Sequence, residues 1–175
     1  NNGFTGLTQV AAGTLQLGSA TALSNAVALV VAPGATVDLG GFSVTVSGVS
    51  GAGVVSNGQL TVTGAIAPGT NGVGELTFAL TDAAPGGTLV VEARTDGTCD
   101  VLHATGNLSL NGMSLQVVDD GQLNRHKIYT IARSDGALTG RFGAKSLPSP
   151  WFVFYDYSAR AVKLSARVGT LIGVQ

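Results

Sequence analysis

The sequence has few charged side chains and almost no cysteine. Only 11% of its 175 residues are Asp, Glu, Lys or Arg, against about 25% in an ordinary soluble domain. Nine basic and ten acidic residues give a net charge of −1, which provides no electrostatic attraction to nucleic acid or to an anionic membrane. The single cysteine, Cys99, excludes an internal disulfide and a cysteine cluster for a metal. We expect Cys99 to be a small buried residue rather than a reactive thiol.

Long apolar runs are also missing. No run approaches the ~18 residues that a membrane-spanning helix needs, and the longest candidate, AVALVVAPGA, is interrupted by Pro33 and Gly34. The first ten residues, NNGFTGLTQV, lack the basic region and apolar stretch of a signal peptide. The sequence therefore predicts no membrane span. It leaves open whether the chain is cytoplasmic, already processed, or cut from a longer precursor.

Short segments with the period of a β-strand fill the chain instead. Apolar residues make up 45% of the sequence and glycine accounts for 26 positions, so the chain is rich in both core and turn residues. Segments such as TLQLG, FSVTVSG and QLTVTG alternate apolar with polar residues, which is typical of strands with one buried face. Gly, Asn, Asp and Pro clusters separate them and favour turns. The pattern predicts an all-β fold, either a sandwich or a coil of strands.

A loose repeat favours the coil. TLQLG at 14, ATVDLG at 35 and GQLTVTG at 58 start 21 to 23 residues apart, and one turn of a parallel β-solenoid takes about 20 to 25 residues. Each turn must stack on its neighbours to bury its inner face. We expect inward positions to be small or β-branched because such an interior is narrow. Residues 1–118 are predicted to be the rungs of this solenoid.

The character of the chain changes at residue 119. DDGQLNRHKIYTIARSDG is the most charged stretch, and an aromatic segment follows it. We interpret residues 119–175 as a cap-like C-terminal element that is continuous with the solenoid. No linker separates the two parts, so the prediction is a single domain.

Half of the ten aromatic residues lie within seven positions of the segment SPWFVFYDY. They are Trp151, Phe152, Phe154, Tyr155 and Tyr157. Alternation places apolar residues on both faces of this strand, so we expect both faces to be covered. Such a strand could cap the open end of the core, contact another chain, or bind a ligand. Since an uncovered end of a solenoid invites aggregation, we favour a cap, in which YDYSARAVKL forms a β-hairpin with its turn at Ser158–Arg160.

No motif of catalysis or cofactor binding is present. The sequence has no HExxH, GxSxG, Walker A or GxGxxG pattern. His103 and His126 have no second candidate ligand at metal spacing, and Asp119 and Asp120 precede Gly121 as in a turn. We expect no enzyme activity, no catalytic residues, no cofactor and no metal. An exposed cluster of three or more convergent acidic and basic side chains would favour an enzyme after all.

Three stretches, in this order, resemble the passenger regions of bacterial autotransporters and autotransporter-associated β-strand repeat proteins. They are GTLQLGSATALSNAVALVVAPGATVDLGG, then GAIAPGTNGVGELTFAL, then DVLHATGNLSLNGMSLQVV continued by HKIYTIARSDGALTGRF and WFVFYDYSARAVKLS. The first resembles the family's GTL-x-LG … GATLDLGG repeat, and the last resembles the C-terminal end of a β-helical passenger. Together they cover nearly the whole chain.

The resemblance implies a right-handed parallel β-helix that is exported across the bacterial envelope. It implies a secreted or cell-surface location, as part of or processed from a longer precursor, and an autochaperone-like C-terminal element. The expected function is structural and non-enzymatic, and the alternative is an adhesin segment that binds glycan or a host surface protein.

The two ends of the chain suggest contacts between copies. The segment VGTLIGVQ is apolar and β-prone, with Leu171, Ile172 and Val174 as its large side chains. No aromatic segment comparable to residues 151–157 occurs near the N-terminus. Strand addition between an open first rung and this tail would join molecules head to tail, and such a contact gives a fibre when it does not close.

Overall fold

The computed structural model describes residues 5–23, 27–70, 72–119 and 121–166. These residues form strands and turns, and none of them is helical. Among them there is accordingly no helix with the length and apolarity required to cross a bilayer. The predicted all-β class is confirmed.

The strands follow one another in groups that we call rungs, because each group from the second to the sixth adds one strand to each of the three faces of the molecule. The first three rungs contain β1 Thr8–Val10 and β2 Thr14–Gln16; β3 Ala28–Val31, β4 Thr36–Asp38 and β5 Ser43–Val46; and β6 Gly48–Gly51, β7 Val54–Ser56 and β8 Gln59–Val62. The next three contain β9 Ala65–Pro68, β10 Glu75–Ala79 and β11 Asp82–Ala83; β12 Thr88–Val91, β13 Val101–Ala104 and β14 Asn107–Ser109; and β15 Ser114–Val117, β16 Tyr129–Ser134 and β17 Leu138–Thr139. The last group contains β18 Lys145–Ser146, β19 Phe152–Asp156 and β20 Ala161–Ser165.

Strands from successive rungs pair side by side and in parallel. Sheet 1 has seven strands in the order β1-β3-β6-β9-β12-β15-β18, and all its pairs are parallel. Sheet 2 has eight strands in the order β2-β4-β7-β10-β13-β16-β20-β19, parallel as far as β16. The third face consists of two separate ladders, β5-β8 and β11-β14-β17. This arrangement of parallel sheets is consistent with the predicted β-solenoid.

The core consists of ladders of aliphatic residues that stack from rung to rung. In sheet 1 the register aligns one inward position through five rungs, at Leu29, Val49, Ile66, Leu89 and Leu115, and each of these side chains is at most 2% exposed. Burial of such a side chain contributes about 1.5–3 kcal/mol. A single rung could not bury these side chains by itself, so the stacking of rungs on one another stabilises the fold.

Two details of the sequence prediction were wrong. TLQLG and ATVDLG are successive rungs, since Thr14 lies opposite Thr36, but GQLTVTG belongs to the third face, where Gln59 lies opposite Ser43. The interior is also wider than expected, because the large side chains of Phe78 and Tyr129 are fully buried.

The C-terminal hairpin is confirmed. Strands β19 and β20 pair antiparallel, and β20 pairs antiparallel with β16, so sheet 2 changes direction at its end. Parallel pairing continues well past residue 118, because β17 and β18 still join the ladders of the third face and of sheet 1. The antiparallel element therefore begins at Phe152, while the proposed boundary at residue 119 marks a change in composition.

Candidate functional site: the aromatic end and the charged face of sheet 2

One side of the aromatic strand packs on the last rung. Trp151 is only 8% exposed, and its ring lies 5.5 Å from the ring of Tyr129. Val153 and Tyr155 also contact the core cluster. The strand thus lies over the core at the point where parallel stacking ends.

Two tyrosine hydroxyls fix the backbone that leads out of the last rung. The Tyr155 hydroxyl accepts a hydrogen bond from the Phe142 amide at 3.2 Å, and the Tyr157 hydroxyl donates to the Gly140 carbonyl at 2.8 Å. The rings of Tyr155 and Tyr157 stack 6.2 Å apart, and the Arg141 guanidinium lies 5.2 Å from the centre of the Tyr155 ring. Burial raises the pKa of the Tyr155 hydroxyl. These contacts hold the segment 140–142 against the aromatic strand.

The other side of the strand is more exposed than expected. Phe154 is 52% exposed and Phe152 is half-buried, so the expectation that both faces are covered is wrong for Phe154. Beside it, Lys163 pairs with Asp156 at 2.9 Å. The pKa of Asp156 is lowered to about 2, chiefly because the Ala159 amide donates to its carboxylate and then because Lys163 and Ser158 also donate.

The remaining predicted interface residues lie outside the described part of the chain. These are Leu171, Ile172 and Val174. The structure therefore brings together Trp151, Tyr155 and Tyr157 on one side of the hairpin, with Phe152 and Phe154 on the opposite side.

A charged cluster on the outer face of sheet 2 was missed. The pairing register places His103 of β13 opposite Arg133 of β16, and Glu75 of β10 and Asp135 flank them. The imidazole lies between two carboxylates, with Nδ1 3.2 Å from Glu75 Oε1 and Nε2 3.0 Å from Asp135 Oδ2. Arg133 donates to the same Glu75 oxygen at 2.7 Å. The Arg160 guanidinium donates to the Asp135 carbonyl, which connects the cluster to the hairpin turn.

The cluster meets the condition set above for an enzyme, since acidic and basic side chains converge on an exposed sheet. Its internal pairing limits what it can do. With both ring nitrogens and the Arg133 guanidinium already in contact with carboxylates, a substrate would have to displace one partner. The arrangement is best suited to connecting β10, β13 and β16.

The alternation of apolar and polar residues predicted the direction of the His103 side chain but not its partners in this cluster. It correctly placed His103 opposite in direction to Leu102, which is fully buried. Glu75 and Arg133 lie 58 positions apart in the chain, and only the inter-strand register brings them together.

A second polar centre lies at the corner between sheets 1 and 2. Asp100 is 2% exposed, and its two carboxylate oxygens accept hydrogen bonds from the Gly74 amide at 2.8 Å and the Glu92 amide at 2.9 Å. Desolvation raises its pKa to about 6 despite these two donors. Asp100 thereby connects the β9–β10 and β12–β13 turns.

Cys99, next to it, is half-buried and donates to the Thr130 carbonyl. Burial and the neighbouring Asp100 carboxylate raise the pKa of the thiol to about 12, so it is protonated at neutral pH. Within the described ranges no group of three or more His, Cys, Asp or Glu side chains is arranged to hold a metal ion.

Comparison of the chain with protein-family models, with curated proteins and with solved structures gave no match in any of the three. The resemblance to autotransporter passengers accordingly stays a prediction from the quoted motifs.

Proposed function

We propose that this chain is a structural, non-enzymatic β-solenoid of a bacterial secreted or cell-surface protein, with the geometry of a right-handed parallel β-helix. The observation that carries the proposal is the uninterrupted parallel pairing of sheet 1 through all seven of its strands. Parallel strands spaced about 4.8 Å apart and stacked on a buried apolar core form a stiff element. Right-handedness is supported by the strong general preference of parallel crossover connections.

The aromatic hairpin is proposed to be the cap of this solenoid. Trp151 covers Tyr129, and the Tyr155 and Tyr157 hydroxyls bind the backbone of the last rung. Two further features oppose the addition of another strand at the nearby edge of sheet 1. The edge strand β18 carries the exposed Lys145, and Pro148 and Pro150 follow it.

The proposal includes end-to-end assembly into an extracellular fibre. Within the described residues, β1 and β2 pair on one side only, with β3 and β4, so each presents a free strand edge. The apolar segment VGTLIGVQ is the proposed partner strand in a neighbouring molecule.

Negative-stain electron microscopy at two protein concentrations, together with light scattering, tests this assembly. We expect filaments that lengthen with concentration. Gln9→Lys should shorten them, because a lysine on an edge strand opposes further pairing. The matched control is Gln116→Lys, which adds the same charge to an exposed position in the interior of sheet 1 and should leave the filaments unchanged. Monomeric rods at both concentrations would overturn the assembly.

The alternative remains an adhesin segment that binds glycan or a host surface protein. It is supported by the exposure of Phe154 and Tyr157, at 52% and 42%, on the terminal strand. Saturating ligand would protect these two aromatic residues from solvent, which a change in the tyrosine fluorescence or in the aromatic NMR signals of Phe154 and Tyr157 would report. The charged cluster at His103 is proposed to be a structural connection, not a catalytic site.

A further inference from the structure

The third face of the molecule is interrupted at one place. Strand β8 pairs with β5, and β11 pairs with β14, but no ladder joins β8 to β11. The sequence after β11 explains the break, because Pro85 has no amide to donate and Gly86 and Gly87 turn the chain at φ +70° and +65°. One hydrogen bond, from the Val62 amide to the Pro85 carbonyl at 2.7 Å, still fixes the two sides together.

The interruption leaves a polar groove. A cavity of about 330 Å³ lies at the gap, lined by Gly41, Ser43, Gly58, Gln59, Thr81 and Asp82. A second cavity of about 230 Å³ lies beside it, lined by Ala83, Ala84 and Ala137 together with the polar residues Asp82, Asn107, Ser109 and Thr139. Asp82 belongs to both cavities, so they form one groove along the stacking direction from β5 to β17. Five strands at the usual spacing make this about 19 Å long.

Hydrogen bonds within the walls hold the polar side chains in place. The Ser43 hydroxyl donates to Gln59 Oε1 at 3.0 Å, which leaves the amide N–H groups of Gln59 as donors. Asn107 donates to Asp82 Oδ1 at 2.7 Å, which leaves the second carboxylate oxygen as an acceptor. A donor from one side of the gap and an acceptor from the other thus line the same cavity.

The composition of the groove defines its ligand. The polar side chains of the lining are hydroxyls, two carboxamides and one carboxylate, with three alanines beside them. None of the described lining residues is Lys, Arg or His, so an anionic ligand is disfavoured. Sugar hydroxyls both donate and accept hydrogen bonds, as amides and carboxylates require. Gly41 presents no side chain at the rim, and a Cβ added there would meet no atom within 4 Å, so a sugar ring can approach the backbone. We propose that this groove binds a neutral oligosaccharide that lies along the solenoid, with Gln59 and Asp82 as the principal contacts. The proposal goes beyond the structural role and does not depend on assembly.

Amide NMR spectra of the whole chain, titrated with neutral and acidic tetrasaccharides (cellotetraose, chitotetraose and tetragalacturonate), test this site. We expect millimolar binding of a neutral saccharide, with shifts at the amides of Gly41, Gly58 and Asn107. Asp82→Ala should weaken binding at least tenfold, the loss expected for a hydrogen bond to a charged acceptor. Gln59→Ala tests the opposite wall independently and covers the case in which Asp82→Ala does not fold.

The matched control is Glu92→Ala, which removes an exposed carboxylate from a different part of the surface and should leave binding unchanged. The proposal would be overturned by the absence of shifts with every neutral saccharide, by stronger binding of tetragalacturonate, or by shifts confined to the aromatic strand. Equal binding by the Asp82, Gln59 and Glu92 variants would overturn it as well. Because the groove lies on the third face whereas the edge strand β1 belongs to sheet 1, loss of filaments and loss of saccharide binding are separate outcomes.

Discussion

Asp100 should make the protein more stable when the solution is acidified. Its folded-state pKa of about 6 lies above the ordinary value of 3.8, because burial disfavours the charged carboxylate. A raised folded-state pKa gives stability that is fully present below about pH 4 and is lost as the pH rises through 6. A shift of roughly two units corresponds to about 3 kcal/mol in the free energy of unfolding, or about 6–12 °C in the melting temperature of a chain of this size.

Chemical denaturation between pH 4 and 8, for the wild type and for Asp100→Asn, measures this contribution. The asparagine is neutral throughout, so the difference in unfolding free energy between the two proteins should change by about 2.5 kcal/mol across this range. At pH 8 the variant gains from loss of the buried charge. The variant also loses about 1–2 kcal/mol of unfolding free energy, because the asparagine NH₂ group is a donor and cannot accept the hydrogen bond from one of the two backbone amides. Comparing the two proteins cancels the titration of the groups that do not interact with Asp100.

The control is Glu92→Gln, which removes a neighbouring exposed carboxylate and should retain the acid stabilisation. Hydrogen exchange of the Gly74 and Glu92 amides, the two donors to Asp100, reports on the site directly. If the wild type and Asp100→Asn showed parallel pH profiles, the burial argument would be refuted. Below pH 4 we expect both proteins to lose stability, because Asp156, with its pKa of about 2, favours the folded state only while ionised.

Five further substitutions test three separate parts of the structure. His103→Gln should lower the free energy of unfolding by less than about 1 kcal/mol, since its carboxylate partners are about half exposed and exposed ion pairs contribute little. A loss above 3 kcal/mol in urea denaturation would contradict this small contribution. Gly51→Ala should prevent stable folding, because Gly51 has a φ of +111° and the new Cβ would lie 2.0 Å from the Val31 carbonyl oxygen. Gly112 also has a positive φ, +78°, but a Cβ there would meet no atom within 4 Å. Gly112→Ala should therefore lower the free energy of unfolding by only about 1 kcal/mol. Trp151→Ala should lower the free energy of unfolding by about 3–5 kcal/mol, whereas Phe154→Ala should lower it by less than about 1 kcal/mol, since only Trp151 is buried. Equal melting temperatures of the two variants would contradict the role of Trp151 in the cap.

The period of the apolar residues predicted strands and their buried faces well. Alternation is a local property, since successive side chains point to opposite sides of a sheet. It correctly indicated the strand around Leu102 and the hairpin after Tyr157. The exposure of Phe154 could not be predicted in this way, because it depends on what lies over the outer face of the sheet.

Register explains what the sequence did not reveal. Glu75, His103 and Arg133 come together because three strands pair with defined offsets, and the offset depends on the lengths of the intervening turns. The groove at Asp82 has the same origin. Its walls come from β5, β8, β11, β14 and β17, and the interruption between β8 and β11 follows from Pro85.

The fading of the repeat along the chain also comes from the turns. In sheet 1, Val49 lies opposite Ile66, Thr88 opposite Ser114 and Leu115 opposite Lys145, so the rungs lengthen toward the C-terminus while the inward ladder remains in step. The added residues lie mainly in the connections from sheet 1 to sheet 2, which grow from residues 52–53 to 69–74, 92–100 and 118–128. The charged stretch that begins at residue 119 is the longest of these connections. A solenoid can accept such insertions at one corner because the stacked core requires constant strands but not constant turns, and this corner is where Asp100 joins two of the insertions.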